Sequence, residues 1–589
     1  PPKKIGVTMV GCAKTALHPH TMRCVALLTA AARALAGPAF VAVEPQPPHL
    51  PAGWQAGNQS PRASLLELTF AVKQRGGQEL HDTLMRVSTP SSPDYGRHLT
   101  NEEVQAMTAP APEDIEVVEA YLNSFGVAAR PLTPNSDLLG ATVTVEVAEK
   151  MLSALYVQLT HVSSGVQISR AVAGYMLPAG VARAVDFVAP TIHVPGVRRP
   201  RVPVGEFQDE QLNVSALGVN SPKNLRQLYS IGSAEGVAVQ NKQAVTAFLE
   251  QGYASRSLKS FWRMFCGGIT CGKGDPKLIG DATHGLSAGV ESMLDIETIT
   301  GVAGNVESEF WGFGGRSPDN PQNEPFMKWL AQLSSTRDAE VPKMFSTSYG
   351  EDEGSWSYTA AQRLNVEFQK AGVRGISLLY ASGDEGANCK GGKFVPEGPG
   401  SSPYVTAVGG TEPTETWPQP GGEKAIGLSS GGFSGYWPMP DWQKAAVSSY
   451  LQQSGLPAPS MGYNVSGRAY PDISAQATDF LVIAGLPMPG VSGTSCASPT
   501  AAGIFSLLND LRLQSGKSTL GFLNPLIYDH AAAFNDITTG SSSSGFGCEH
   551  GWPAKQGWDA VTGVGTPNYA KLAEVVKALP AGKIPALIV

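Results

Sequence analysis

Two regimes of hydrophobic patterning divide this chain. Between residues 58 and 196 short amphipathic units follow one another. Leu66 to Val72 reads as a strand, Gln78 to Val87 and Asp114 to Leu122 as helices. Ala141 to Val147 alternates at strand period and leads into a helix through Leu155. The β-α-β order predicts a small α+β sandwich of the ferredoxin-like kind. Beyond residue 206 the pattern changes to short, nearly continuous apolar runs: Ala244 to Leu249, Lys343 to Ser348, Ile376 to Ala381 and Tyr404 to Val408. These alternate with helical segments at Phe326 to Leu333, Tyr358 to Ala371 and Thr500 to Leu513. Strands that read this way are buried on both faces, so the second region is an α/β domain: a parallel sheet with helices on both sides. A Pro-rich stretch from Val43 to Gly57 and the Pro/Val-rich surroundings of Arg198-Arg-Pro-Arg201 read as linkers. The division expected is therefore 1–57 leader and linker, 58–196 first domain, 197–205 exposed linker and 206–589 second domain.

Composition narrows the class. With 42% hydrophobic and 16% charged residues among 589, the chain forms cores rather than a disordered coil. Its net charge of −7, with no basic patch interleaved with aromatics, argues against nucleic acid as a partner. No apolar run reaches the roughly 18 residues of a membrane span. Arg33 interrupts the best one. Met22 to Ala32 has a basic start and a short apolar core, and Ala34-Leu-Ala36 offers small residues for cleavage, as in a secretory signal. Asn58, Asn213 and Asn464 head Asn-x-Ser tripeptides, which suit passage through a secretory pathway and glycosylation there. Of seven cysteines, Cys12 and Cys24 lie in the segment expected to be removed, so at least one of the other five is unpaired. Cys266 and Cys271 are close enough to close a small loop.

Candidate chemistry is concentrated at three places. Val491-Ser-Gly-Thr-Ser495-Cys-Ala-Ser-Pro499 puts Ser495 on a small-residue turn before a helix, whose N-terminal amides favour developing negative charge. That suits a nucleophilic serine; a helix-capping serine gives the same pattern. Glu291-Ser-Met-Leu-Asp295 places two carboxylates on one helix face amid small and apolar residues. Buried like charges split their proton affinities, as a general base and its helper require, although such pairs are more often a solvated face. In Gly375-Ile-Ser-Leu-Leu-Tyr-Ala-Ser-Gly-Asp384-Glu-Gly386, Asp384 follows a buried strand and sits at the carboxyl edge of the sheet, where open α/β folds bind ligands. A turn-capping aspartate is the ordinary alternative. His284-Gly285 resembles the histidine segment of subtilisins, but the strand Ala244 to Gln251 carries no aspartate for it.

The ordered set Glu291-x-x-x-Asp295, Ser382-Gly-Asp384 and Ser492-Gly-Thr-Ser495 is similar to that of the sedolisin, or serine-carboxyl peptidase, family, nearest its lysosomal tripeptidyl-peptidase branch. Leu50-Pro-Ala-Gly-Trp54, Ser91-Ser-Pro-Asp-Tyr-Gly96, Gly467-Arg-Ala-Tyr-Pro-Asp472 and Gly557-Trp-Asp-Ala-Val-Thr-Gly563 extend the likeness from about Leu50 to Leu579. The resemblance implies a subtilisin-like second domain that hydrolyses peptide bonds, and a first domain acting as an inhibitory propeptide cut off between about Gly196 and Glu206. Ser495 would attack the peptide carbonyl. Glu291 would take its proton, Asp295 would assist Glu291, and Asp384, kept neutral in acid, would protonate the oxyanion. It further implies one structural calcium ion held by the carboxylates of Asp536 and Asp559 and the carbonyls of Ile537, Lys555 and Gly557, with Lys555 standing where the family has glycine. A second disulfide, Cys389 with Cys548, follows from the family pattern, leaving Cys496 free. Peptides and proteins are then the substrates, and a lysosomal or similar acidic compartment, or the outside of the cell, the location. An endopeptidase of the same family, an inactive binding protein on the same fold and a neutral histidine-based protease are the competing readings.

Overall fold

The computed structural model describes residues 39–44, 50, 53–162, 165–194, 220–283, 288–317, 320, 323–543, 548 and 550–582. In the first domain a four-stranded antiparallel sheet is built from β1 (Leu65–Val72), β2 (Arg130–Pro131), β3 (Leu138–Thr144) and β4 (Val185–Ala189), in the order β2-β3-β1-β4. Read from the other end this is 4-1-3-2, the β-α-β-β-α-β arrangement expected. Helices α1 (Gly77–Ser88) and α2 (Pro112–Asn123) lie between β1 and β2, and α3 (Val145–Leu152) follows β3. Val118 and Leu122 of α2, with Val145, Ala148 and Met151 of α3, pack on Leu68, Phe70 and Leu139 of the sheet. The strand expected over Ala141 to Val147 ends at Thr144 instead. There its hydroxyl accepts the Val147 amide and starts α3, so Val145 and Val147 are helical despite their β-branched side chains. Ser153 then turns left-handed, so α3 stops before Leu155.

The second domain is organised on a mixed sheet. Its strands are β5 (Lys242–Ala247), β6 (Lys277–Ile279), β7 (Glu307–Gly312), β8 (Met344–Thr347), β9 (Ser377–Ala381), β10 (Thr406–Pro413), β11 (Glu423–Ala425) and β12 (Ile473–Gln476). The order is β6-β7-β5-β8-β9-β10-β11, with β12 also pairing β10. All pairs are parallel except β10 with β11. Alternation along each strand splits the core in two. Val245, Phe310, Met344 and Leu379 face one side, where α4 (Val290–Val302) and α7 (Thr494–Gln514) pack. Ala244, Trp311, Phe345 and Tyr380 face the other, where α5 (Phe326–Ser335) and α6 (Tyr358–Val373) bring Trp329, Leu330 and Phe368. Every residue of α4 after Glu291 is buried, which is why its sequence shows no polar face.

The two domains meet along α6. Leu80 and Leu84 of α1 pack against Val373 and Phe522. Beside them Asp137, wholly buried, accepts Lys370 Nζ at 2.7 Å and Gln74 Nε2 at 2.7 Å. Arg363 Nη2 lies 3.6 Å from the same carboxylate, and Lys370 also reaches Glu367 at 2.8 Å. Disulfides join Cys266 to Cys271 and Cys389 to Cys548, and Cys496 is buried and free. Among the described residues no helix is long and apolar enough to cross a membrane. The leader with Cys12 and Cys24, the linker around Arg198-Arg-Pro-Arg201, Asn213 and His284 lie outside the described residues.

Candidate active site

The helix expected from Thr500 begins six residues earlier. α7 starts at Thr494, so Ser495 lies within its first turn rather than on a turn before it, and Pro499 lies inside the helix. Pro499 is the sixth helical residue, beyond the first-turn amides that lack a partner, and its missing N–H leaves the Ser495 carbonyl without its i→i+4 donor. Gly493 precedes the helix with φ +152°, and a Cβ on it would come within 2.7 Å of Asp384 Oδ2. Close approach of the carboxyl, as much as backbone shape, requires glycine.

Asp384 is tied to the start of α7. The Thr494 amide donates to its Oδ1 at 2.7 Å, and the Thr494 hydroxyl donates to the same oxygen at 2.8 Å. Both donors on Oδ1 leave Oδ2 to carry the proton whenever the carboxyl is neutral. The Gly383 amide donates in turn to Thr494 Oγ1 at 3.1 Å. The turn after β9 and the turn before α7 are thereby one unit.

Glu291 and Asp295 approach from α4. Their spacing puts them on one face of the helix, Glu291 half-buried in the first turn and Asp295 wholly buried. The Glu291 amide donates to Gln251 Oε1 at 3.2 Å, which anchors the helix start. Asp295 Oδ1 accepts the Ser348 hydroxyl at 2.6 Å. The charges felt by the Cys496 thiol show how closely these groups gather: burial pushes it well above its ordinary range, and Glu291, Asp384, Asp295 and Asp479 push it further. Asp384 is hydrogen-bonded to Thr494 in the first turn of α7, where Ser495 sits 4% exposed, and Asp295 reaches the same turn through Ser348, with Glu291 one helical turn before Asp295 on α4. The same field keeps Cys496 a thiol and disqualifies it as the nucleophile. The arrangement offers a hydroxyl at a helix N-terminus, a coupled pair of carboxylates and a separate carboxyl able to donate a proton.

Two groups escaped the sequence reading. Ser348 ends the apolar run Lys343 to Ser348 and looked like a strand residue. Pro499 precedes the helix expected from Thr500, so nothing in the sequence pointed to the Ser495 carbonyl; only the earlier helix start places proline inside α7. Glu397 lies in a Gly/Pro-rich loop without periodicity. In the fold its carboxyl lies under the Asp384 turn, where a Cβ on Gly383 would meet Oε2 at 2.0 Å. Ser430 Oγ donates to its Oε1 at 2.6 Å. Burial, with Asp352, Glu385 and Asp384 nearby, pushes Glu397 up to about 8.

The residues named for calcium form a compact loop. Asp536 accepts the Gly557 amide at 2.9 Å, and Asp559 Oδ2 accepts the Lys555 amide at 3.0 Å. Asp559 Oδ1 accepts the amides of Val561 and Thr562 at 3.0 and 2.8 Å. Asp559 is wholly buried and burial pushes it up to about 7, while burial also raises Asp536. No group of three or more His, Cys, Asp or Glu able to hold a metal occurs among the described residues. A site of two carboxylates completed by carbonyls of Ile537, Lys555 and Gly557 falls below that count. Its oxygen donors, and a buried carboxylate held above its ordinary range by burial, fit a hard cation.

Residues 52–194 match the Pro-kumamolisin activation domain, and residues 295–538 match the subtilase family. Tripeptidyl-peptidase 1 of Mus musculus is 36% identical over 539 residues, covering 89% of this chain and 93% of that protein. Tripeptidyl-peptidase 1 of Homo sapiens is 35% identical over 540 residues with the same coverage. Among solved structures, Pseudomonas sedolisin, a serine-carboxyl proteinase, aligns at 22% identity with a TM-score of 0.49, covering 62% of this chain and 99% of that one.

Proposed function

Since the chain belongs to the sedolisin family of serine-carboxyl peptidases, and is a serine peptidase carrying its own activation domain, we propose that it works in acid and releases tripeptides from free N-termini. The observation that carries this reading is the gathering of Glu291, Asp295 and Asp384 around the first turn of α7. In it Ser495 Oγ attacks the peptide carbonyl while Glu291 takes its proton, later passed to the leaving amine. Asp295 keeps Glu291 in the right protonation state. Asp384 donates from Oδ2 to the tetrahedral oxyanion, with the α7 amides adding positive potential. Glu291 must be ionised while Asp384 is protonated, so activity is lost at neutral pH. Calcium held by Asp536, Asp559 and the carbonyls of Ile537, Lys555 and Gly557 would brace the loop behind β12 and β10. It supplies cross-linking charge and no chemistry.

Tripeptide release is supported by the tripeptidyl-peptidase relatives. A secretory route to a lysosome or another acidic space is the matching location. The test is one peptide offered with a free and with an acetylated N-terminus at about pH 4.5, with products weighed by mass spectrometry. Tripeptides from the free form alone are expected. Equal cleavage of both makes the protein an endopeptidase. Activity surviving in S495A removes the mechanism altogether.

A further inference from the structure

Ser348 stands between the two halves of the site and has no part in the roles above. It is wholly buried, one residue past the end of β8. Its hydroxyl donates to Asp295 Oδ1 at 2.6 Å and lies 3.5 Å from the Ser495 carbonyl. That carbonyl is free of its helical donor because residue 499 is proline. One hydroxyl thus borders the helper carboxylate of α4 and the backbone of the nucleophile on α7. We propose that Ser348 is a positioning residue of the peptidase reaction, holding Asp295 as an oriented carboxylate and fixing its distance from the Ser495 turn.

A hydroxyl has one proton, and at 2.6 Å it belongs to Asp295, as a charge-assisted bond. Such a bond favours the ionised form of its acceptor. An ionised, oriented Asp295 draws the shared proton of the pair toward itself when Glu291 accepts one from Ser495. Other titratable groups face Asp295 from each packed element: Glu291 on α4 itself, Tyr349 beside Ser348, and Cys496 on α7, with Asp384 and Asp479 acting on the same thiol. Tyr349 and Cys496 are held protonated by burial and direct their protons to the Phe248 and Val491 carbonyls, whereas the Ser348 proton goes to Asp295 and favours its charged form.

This rests on the catalytic reading above, and the experiment separates the two. S348A, S348C, E291Q and S495A are prepared as the full chain and matured in acid. Each is assayed for kcat, KM and the pH dependence of kcat on a tripeptide amide. Removal of the donor lets the pair protonate more readily, so the acid limb of S348A moves to higher pH. Its kcat falls about 10- to 100-fold, part of the roughly 10²–10⁴ that a general base supplies. KM stays within about twofold, because substrate does not touch Ser348. S348C, of similar size with a weak S–H donor, falls between. Wild-type kcat and pH profile in S348A, with E291Q and S495A inactive, overturns the proposal alone. Equal losses in S348A and S348C with an unmoved acid limb also overturn it, in favour of packing. Activity in E291Q or S495A overturns the catalytic reading instead.

Discussion

Asp137, where the activation domain meets α6, and Glu397, under the turn that carries Asp384, are both withdrawn from water, yet their proton affinities move in opposite directions. Asp137 is faced by Lys370 and Arg363, whose attraction outweighs the burial penalty and holds it well below the ordinary aspartate range. Glu397 is faced by Asp352, Glu385 and Asp384, and burial with these like charges pushes it up to about 8. Burial raises both groups; it sets the sign at Glu397, with the like charges adding to it, and at Asp137 the two cations override it. The consequence is a molecule with two acid responses. The Asp137 contribution is present above the unfolded value near 3.8 and lost as pH falls below it toward the depressed folded one. The Glu397 contribution is present in full below about 4.5 and lost as pH rises toward 8. Between those limits the contact between the domains stays charged while the wall of the site is neutral. Acid near pH 5 thus prepares the site before it reaches Asp137, and loosening of the domain contact by this route needs stronger acid.

The largest effect that would break this contrast is at Asp137. D137N removes the charge but keeps the shape, leaving buried Lys370 with Glu367 and buried Arg363 with Asp186, 3.7 Å away, as remaining carboxylates. Loss of one partner of a buried ion pair costs about 3–5 kcal/mol. The activation domain is expected to come away from α6 at neutral pH, seen as faster cutting of the 197–205 linker by an added protease and a lower first unfolding transition. K370M in the same chain should recover part of the loss, since it removes the stranded charge. A D137N chain with unaltered linker cutting and unfolding makes the apolar contact of Leu80 and Leu84 with Phe522 the true anchor.

A second comparison sharpens the first. Asp559, like Glu397, is pushed up by burial, to about 7, but its loop fits a cation where the Glu397 cluster has only acids about it. Without an ion, its contribution is present below the unfolded value near 3.8 and lost as pH rises toward 7. A bound calcium reverses that slope by favouring the carboxylate. Chelation is expected to lower the melting temperature more at pH 7 than at pH 4. A free concentration of 100 times the dissociation constant stabilises by about 2.7 kcal/mol. D559N should melt like the chelated parent and ignore added calcium. Identical melting with and without chelator at both pH values makes the loop a hydrogen-bonded turn.

How far these features could be read from the residues depends on how local their causes are. Period-2 and period-3.6 patterns are local, so the parallel sheet, α4, α6 and α7 were legible. Leu65–Val72 and Phe326–Ser335 come within one or two residues of the expected ends. Thr144 shows the limit: the same Thr-Val-Glu-Val run serves a strand or a capped helix, and pairing with β1 decides where one stops. Ser495, Glu291, Asp295 and Asp384 were legible as a family pattern, since each alone resembles a cap, a solvated pair or a turn residue. Asp137 and Glu397 were not legible, because their character comes from Lys370 and Arg363 more than 200 residues away in one case and from loop packing in the other. Ser348 was hidden because it continues an apolar run, one residue past the end of β8, and Pro499 lay before the helix expected from Thr500.

Glu397 offers the smallest but most selective test. Ser430 Oγ accepts the Glu385 amide at 3.0 Å and donates to Glu397 Oε1, so the acid proton of Glu397 belongs on Oε2, against Gly383. E397Q preserves that arrangement, an amide nitrogen replacing the protonated oxygen. At pH 5 parent and variant are expected to agree in melting and kcat to within about 1 kcal/mol, the worth of one neutral hydrogen bond. As pH rises through 8 the parent gains a buried negative charge beside three acidic neighbours and the amide does not. The stability of E397Q should therefore fall less steeply above pH 5 and the two curves diverge with pH. E397Q should also extend the alkaline limb of activity if ionised Glu397 displaces the turn that carries Asp384. Parallel stability curves from pH 5 to 9 would mean that Glu397 is solvated on the opening side. The contrast with Asp137 would then reduce to the presence of cations rather than the sign of the surrounding field.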